Sequence, residues 1–153
     1  MSQDEIKSFR QAIQTVVDGN HQEGIEQFRQ FIKKFPGSEL VDDSEYNIAL
    51  CYYQMNQFQK AISTLDILIK NHPEDTIAVF KGGNEFGRTA AKAYYLMVNC
   101  LLGIGQIDNA RNILPHLEQY PDSYIVNDGN KVSFHQLAIN AIELYNSLTP
   151  RYD

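Results

Sequence analysis

The chain is short of basic residues and of long apolar runs. Its 13 lysines and arginines stand against 19 acidic residues, and the formal net charge is −6. Nucleic acid is therefore not expected as a partner, because phosphates require clustered cations, and the acidity is interpreted as an aid to solubility. No stretch is apolar for long enough to cross a bilayer, so membrane insertion is not expected either.

Patterns typical of catalysis or cofactor binding are also missing. The four histidines have no HxxxH or HExxH spacing, and the glycines at positions 82, 83 and 87 do not form a GxxxxGK[ST] phosphate-binding pattern. The two cysteines, Cys51 and Cys100, occupy equivalent positions on neighbouring predicted helices, so we expect them to be free, buried and apolar in character. The sequence predicts a non-enzymatic protein with no cofactor and no metal.

The first residues, MSQDEIKSFRQAIQ, lack a basic region followed by an apolar core. No signal peptide is therefore predicted, and two free thiols suit a reducing compartment, so we expect a cytoplasmic protein. The alternative is a periplasmic protein, if the chain is a processed or trimmed part of a longer precursor.

What the sequence does contain is a helical hairpin that occurs three times. Residues 42–75 show two amphipathic segments with apolar residues at spacings of three and four, ended by Pro73. Pro36 matches Pro73 at an offset of 37 residues, and Ala110 matches Ala61 at an offset of 49. Such an array buries each apolar face against the next hairpin. The three copies span about residues 5–38, 42–75 and 88–123.

These hairpins resemble tetratricopeptide repeats, whose small residue, large apolar residues and helix-ending proline are met at Ala61, Leu65, Leu68 and Pro73. The resemblance implies an all-α fold, a right-handed superhelical stack of three hairpins, which we expect to form one domain over residues 1–153. It also implies a non-enzymatic scaffold that binds a protein or peptide segment in a concave groove.

Within that family the chain looks most like the repeat domain of the bacterial Tol–Pal-associated cell-division coordinator, and almost as much like outer-membrane assembly lipoproteins. The chain lacks their signal peptide, lipidated cysteine and trimerising coiled coil, and a cell-envelope role is kept as an alternative. The residues that carry the likeness are Phe9, Ala12, Ile13, Gly19, Gly24, Ile25, Phe28, Phe31, residues 35–38, Tyr46, Tyr52, Tyr53, Ala61, Ile62 and residues 120–123.

Residues 76–90 lengthen the link before the third hairpin by 12 residues, the difference between the offsets of 49 and 37. Insertions in such arrays often bind partners, and the alternative is a tolerated surface loop. The glycines of this segment predict an exposed, mobile tip that could close one end of the groove. Four apolar residues are expected to fold back over the second hairpin: Ile77, Val79, Phe80 and Phe86.

Three further features are predicted from local patterns. Pro115 lies within the second helix of the third hairpin and predicts a kink. Residues 124–133 have a β-turn pattern, but an isolated two-stranded hairpin is marginal, so an irregular loop is predicted. Residues 133–148 are predicted to form a capping helix, and the acidic pairs at 42–43 and 74–75 to cap helix starts.

Projection of the repeat pattern places the first helix of each hairpin on the concave side. The candidate groove residues are Lys7, Arg10, Gln14, Tyr46, Asn47, Leu50, Tyr53, Gln54, Lys92, Tyr95 and Asn99, with Asp43 on the same side. Tyrosines beside amides and a few cations suit an extended peptide. The alternative is that the tyrosines only close the core and keep their hydroxyls in water.

Two other interpretations remain open. One is a carboxylate clamp of the chaperone-binding tetratricopeptide kind, in which Arg10, Gln14, Asn47 and Lys92 match four of five positions, while Leu96 stands where that family has a cation. The other is self-association through the terminal helix, which would give a homo-oligomer with no other ligand.

Overall fold

The structure is a computed structural model that describes residues 1–149. Eight helices and three short strands occur in this part of the chain. The helices are α1 (Gln3–Val17), α2 (His21–Lys34), α3 (Val41–Gln54), α4 (Phe58–Asn71), α5 (Thr89–Gly103), α6 (Ile107–Arg111), α7 (Leu114–Leu117) and α8 (Phe134–Leu148). The strands are β1 (Glu85–Phe86), β2 (Tyr124–Asn127) and β3 (Asn130–Ser133).

The helices pack against their neighbours in the chain, so the hairpins form a stack. Helix α2 packs on α3, and α4 packs on α5, which joins the three hairpins, while α8 packs on α5, α6 and α7. The predicted all-α repeat stack with a C-terminal capping helix is thus confirmed. It has two apolar cores: one lies around Phe28 and Cys51, and a larger one around Leu65 and Val98.

The first hairpin is fixed by local sequence features. Helix α1 begins at a capping box, in which the Glu5 N–H donates to the Ser2 hydroxyl and the Ser2 N–H donates to the Glu5 carboxylate. Gly24 of α2 stands where the other two hairpins have alanine. A Cβ at Gly24 would overlap Cγ2 of Val16, so α1 and α2 pack more closely than an alanine would allow.

The second helix of the third hairpin is divided into α6 and α7. Helix α6 ends at Arg111, α7 begins at Leu114, and Pro115 is the second residue of α7. Proline is tolerated in the first turn of a helix, where its missing N–H would have no partner within the helix. The kink predicted at Pro115 is therefore a break between two short helices.

The irregular loop predicted for residues 124–133 is wrong, because this stretch is a β-hairpin. Strands β2 and β3 pair antiparallel along their whole length, and Asp128 and Gly129 turn the chain with φ angles of 51° and 79°. The hairpin is not isolated, since β1 of the inserted segment adds a third strand, with Glu85 opposite Ile125. This third strand supplies the stabilisation that a two-stranded hairpin lacks in water.

The inserted segment leaves the stack and returns to the same point. Thr76 and Arg88 form an antiparallel bridge, and the Ile77 N–H donates to the Gly87 carbonyl at 2.8 Å. Thr76 and Arg88 are 12 positions apart, which equals the number of inserted residues. Helix α5 therefore follows α4 in the stack much as it would without the insertion.

The apolar residues of this segment pack on three different parts of the fold. Ile77 joins the core of the second hairpin, as predicted. Phe80 instead stacks on Phe9 of α1, with ring centroids 5.9 Å apart, and Phe86 lies against Tyr124 of β2 at 5.4 Å. The segment thus bridges the first hairpin and the β-sheet rather than lying over the second hairpin alone.

The predicted exposed tip is correct for Gly82 and wrong for Gly87. Gly82 has a φ angle of +85° and open space around it. Val79, near this tip, is 54% exposed rather than folded back as predicted. Gly87 has a φ angle of +106°, and a Cβ there would lie 2.5 Å from Cα and 2.7 Å from Cβ of Ser123. Gly87 is therefore a site of close backbone approach, and the mobility of the tip stays a prediction.

We expect Gly87→Ala to lower the free energy of unfolding by roughly 2–4 kcal/mol, because backbone strain and steric overlap add. Gly82→Ala is the matched control: it introduces the same positive-φ strain in open space and should cost roughly 1–2 kcal/mol. Urea unfolding followed by circular dichroism measures both. Equal losses in the two variants would show that the contact with Ser123 is not tight.

Candidate functional site

A cleft of about 490 Å³ lies between the first helices of the three hairpins, α1, α3 and α5, and the inserted segment. Residues of β2 and α8 complete its wall. The lining residues are Phe9, Ile13, Asp43, Tyr46, Asn47, Leu50, Ile77, Ala78, Phe80, Gly83, Asn84, Glu85, Lys92, Tyr95, Ile125, Phe134 and Leu137.

The structure brings five of the eleven candidate groove residues together in this cleft. They come from the first and central turns of α3 and α5, and Asp43 lines the cleft with them. The five residues are Tyr46, Asn47, Leu50, Lys92 and Tyr95.

Three of the remaining candidates lie further along the same two helices. The ring of Tyr53 packs on Phe58, with centroids 5.6 Å apart, and Gln54 is exposed at the end of α3. The side-chain amide of Asn99 donates to the Tyr95 carbonyl at 3.2 Å. These residues do not line the cleft, because it is confined to the earlier turns of α3 and α5.

The other three candidates, Lys7, Arg10 and Gln14, are exposed on α1. The Arg10 guanidinium lies 5.4 Å from the centre of the Phe80 ring, and the Gln14 amide donates to Asp18 at 2.8 Å. The α1 residues that line the cleft are Phe9 and Ile13. They come one position before Arg10 and Gln14. The projection of the repeat pattern is therefore rotated by one residue on α1.

The polar residues of a carboxylate clamp are not assembled. Only Asn47 and Lys92 of the predicted set line the cleft, and both are engaged within the chain. The Lys92 ammonium lies 2.6 Å from the Glu85 carboxylate, and the Asn47 amide donates to the Asp43 carbonyl at 2.8 Å. Leu96, at the position that needs a cation, is a buried core side chain.

Asp42 and Asp43 lie in the first turn of α3, as predicted, but neither of them caps the helix. Leu40 is the N-cap residue, and the two aspartates are only 2% and 8% exposed. Asp42 accepts a hydrogen bond from the Thr89 hydroxyl of α5, and burial raises its pKa. The start of α3 is buried because α5 and the inserted segment cover it.

Asp43 has one carboxylate oxygen without a donor. Its Oδ1 accepts a hydrogen bond from the Ala78 N–H at 3.2 Å, whereas Oδ2 accepts none from the described part of the chain. Burial and the neighbouring charge of Asp42 raise the pKa of Asp43 to about 7. The cleft thus contains a carboxyl group that titrates near neutral pH.

Lys92 links the inserted segment to the floor of the cleft. Its ammonium lies 4.1 Å from the centre of the Tyr46 ring and pairs with Glu85 of β1. Burial raises the pKa of Tyr46, so its hydroxyl stays neutral. The ion pair and the cation–π contact together hold β1 against α3 and α5.

Sequence reasoning missed the part of the cleft that the inserted segment and the C-terminal region supply. Phe80, Asn84 and Glu85 come from the inserted segment. The one sequence signal for them is that insertions in repeat arrays often bind partners. Phe134 and Leu137 come from α8, which the helical spacing of its sequence predicts only as a capping helix. Their place beside the cleft depends on how α8 packs, which the spacing does not reveal.

His72 is not an ordinary surface histidine, since its ring lies between two carboxylates. Its Nδ1 is 2.6 Å from Asp75, and its Nε2 is 3.4 Å from Glu45. Glu74 and Asp75 do not start a helix, contrary to prediction, because the inserted segment separates them from α5. These groups lie outside the cleft.

Other reactive groups are shielded. Cys51 and Cys100 are free and buried, as predicted, and burial raises their pKa values to about 11 and 12. Within residues 1–149, no cluster of three histidine, cysteine or carboxylate side chains is arranged to hold a metal ion. None of the helices described is long and apolar enough to span a bilayer.

Asp43→Asn tests the burial of this carboxyl group. Folding raises the pKa of Asp43 from 3.8 to about 7, so between these pH values the folded state holds a proton that the unfolded state has released. Proton binding by Asp43 therefore stabilises the folded state at low pH, and this stabilisation is lost as the pH rises from about 4 to about 7. We therefore expect the wild type to lose on the order of 2–4 kcal/mol of unfolding free energy over this range relative to the variant.

Urea unfolding of both proteins at pH 4, 5.5, 7 and 8 measures this difference. Asparagine keeps the shape of the side chain and an oxygen for the Ala78 N–H, so the variant is a matched control for packing. Parallel pH profiles would contradict the raised pKa of Asp43.

Comparison with known proteins agrees with the hairpin geometry. Residues 2–38 and 43–75 match the family model of the tetratricopeptide repeat, and these ranges contain α1–α2 and α3–α4. A chloroplastic protein of Arabidopsis thaliana is similar, with 32% identity over 69 residues, which make up 45% of this chain and 21% of that protein. The finer likeness to Tol–Pal-associated proteins stays a prediction. The first two hairpins of the stack are tetratricopeptide repeats.

Proposed function

We propose that the chain is a protein-interaction module that binds a short segment of a partner protein in the cleft between α1, α3, α5 and the inserted segment. Tetratricopeptide repeats generally mediate contacts between proteins, and helical arrays commonly bind along their concave surface. The observation that carries the proposal is the gathering of Tyr46, Asn47, Leu50 and Tyr95 in one cleft.

The composition of the cleft suits a peptide. Aromatic rings and Leu50 offer apolar area, and the amide of Asn84 offers a donor and an acceptor to a peptide backbone. A cleft of about 490 Å³ falls in the range of small-ligand sites, roughly 300–1,000 Å³. The bound segment should therefore be short, with one or two side chains entering the cleft.

The inserted segment supports the same conclusion, because it supplies a wall of the cleft. Phe80 stacks on Phe9 at one side, and Glu85 binds Lys92 at the other. A segment held at both sides narrows an otherwise open groove and limits the length of chain that can lie in it.

Leu50→Arg tests the cleft, because it places a long charged side chain among the apolar lining residues. We expect wild-type protein to select peptides from a phage-displayed library of random dodecapeptides, and the variant to select none of them. A buried contact of leucine size is worth about 1.5–3 kcal/mol, so the affinity of the selected peptides should fall at least roughly tenfold.

Ile67→Arg is the matched control, since Ile67 is 57% exposed on α4 and outside the cleft. It should select the same peptides as the wild type. Circular dichroism checks that both variants are folded. If Leu50→Arg selects the wild-type set, or if the wild type selects no peptide, the proposal fails.

A second candidate function is self-association through α8. Leu144 and Leu148 lie one turn apart on this helix and are 60% and 72% exposed. Two apolar side chains on the outer face of a terminal helix favour contact with another protein surface, here a second copy. A Tol–Pal-type envelope role and a cytoplasmic location stay predictions, which the neighbouring genes would test.

Light scattering after size-exclusion chromatography tests the second candidate. The wild type should shift from monomer to dimer as its concentration rises, and Leu144→Gln/Leu148→Gln should remain monomeric, because the contact loses its apolar area. Ile67→Gln, at an exposed apolar position on α4, is the control and should behave as the wild type. A wild type that stays monomeric at all concentrations would eliminate this candidate.

A further inference from the structure

Asp43 is the one charged residue lining the cleft that forms no salt bridge among the described residues. The charged side chains that line the cleft are those of Asp43, Glu85 and Lys92. Glu85 and Lys92 pair at 2.6 Å, and although Lys92 also favours the charged form of Asp43, the three side chains together leave one net negative charge in the cleft. A buried charge is stabilised only when it is paired and hydrogen-bonded. The cleft therefore has a negative charge that a bound segment could balance.

The Asp43 carboxylate is held in a fixed position. The Ala78 N–H donates to Oδ1 at 3.2 Å, and the Asn47 amide holds the backbone carbonyl of the same residue at 2.8 Å. Asp43 is 8% exposed, and its Oδ2 is buried and has no donor within residues 1–149. A carboxylate fixed in advance favours a cationic ligand, because little ordering entropy is lost on binding.

We propose that the partner segment places a basic side chain, arginine in preference to lysine, against Asp43 in this cleft. The inference rests on the proposed function, since it names the side chain that the peptide-binding cleft selects. The guanidinium pairs with the Asp43 carboxylate in the wall of the cleft, and its flat face packs on the ring of Tyr95.

Aromatic rings of the same cleft already accept cations within the chain. The Lys92 ammonium lies 4.1 Å from the centre of the Tyr46 ring, and the Arg10 guanidinium lies 5.4 Å from the centre of the Phe80 ring. A neutral donor could hydrogen-bond to the Asp43 carboxylate, but it would leave the net negative charge of the cleft unbalanced. A cation balances this charge and also packs favourably on an aromatic ring.

Arginine fits better than lysine for two geometric reasons. Its planar guanidinium stacks on aromatic faces and directs several donors at a carboxylate, whereas an ammonium is a compact, strongly hydrated charge. The apolar side of the cleft, formed by Leu50, Phe134 and Leu137, suits an apolar neighbour of the arginine. The selected segment should therefore have an arginine next to large apolar residues.

The raised pKa of Asp43 provides a second readout. At pH 6 the carboxyl group is mostly protonated, because its pKa is about 7, and a cation binds the carboxylate form. Affinity for an arginine peptide should therefore rise between pH 6 and pH 8. The charged groups that face Asp43 are Asp42 on α3, Glu85 on β1 and Lys92 on α5.

The experiment compares peptides selected from the dodecapeptide library by the wild type, by Asp43→Asn and by Leu50→Arg. Peptides that depend on the cleft are those lost with Leu50→Arg. One such peptide is synthesised with arginine, citrulline or glutamate at its basic position, and binding is measured by fluorescence anisotropy at pH 6 and pH 8. Citrulline keeps the shape of arginine and removes its charge.

The proposal predicts that the cleft-dependent peptides are rich in arginine and that citrulline weakens binding to the wild type roughly tenfold or more at pH 8. Asp43→Asn should bind the arginine and citrulline forms about equally and lose the pH dependence.

Two results would overturn the proposal and leave the proposed function intact. One is a set of cleft-dependent peptides without basic residues, and the other is discrimination against citrulline that persists in Asp43→Asn. The citrulline comparison on the wild type decides the matter even if the variant is poorly folded. If no cleft-dependent peptide is selected at all, the proposed function fails as well.

Discussion

The antiparallel bridge between Thr76 and Arg88 determines how the twelve additional residues are accommodated. In a repeat array each hairpin buries its apolar face only against its neighbours, so an insertion that displaced α5 from α4 would expose both faces. The bridge brings the two ends of the insertion together, and the hydrogen bond from the Ile77 N–H to the Gly87 carbonyl secures it. Helix α5 therefore still packs on α4, and the residues between Thr76 and Arg88 can pack on other parts of the fold.

The cleft is a consequence of where that excursion packs. Phe80 reaches α1, and β1 joins the β-hairpin that precedes α8, so the segment spans the concave side from the first hairpin to the capping helix. An open tetratricopeptide groove becomes a shorter, partly enclosed cleft. This explains why candidates from the first and central turns of α3 and α5 are gathered, whereas Tyr53, Gln54 and Asn99 are left outside.

The local parts of the fold could be predicted from the sequence, and the long-range parts could not. Helical spacing and Pro73 define the hairpins because these signals act within about one turn of helix. The β-sheet depends on the pairing of Glu85 with Ile125, 40 residues away, and neither strand would be stable alone. For the same reason the sequence could not reveal that Asp43 is covered, because the Ala78 N–H that donates to it lies 35 residues further along the chain.

The stability of the stack does not by itself account for an acid at position 43. Asp42 and Asp43 are adjacent and buried, so each raises the cost of ionising the other. The Thr89 hydroxyl compensates Asp42, and the positive end of the α3 dipole assists both, but Oδ2 of Asp43 has no donor among the described residues. Asparagine would keep the bond to Ala78 and avoid the buried charge. Where a residue costs stability that a simple substitution would restore, its explanation is sought in function, and the position of Asp43 in the wall of the cleft agrees with the proposal that this cleft binds a partner segment.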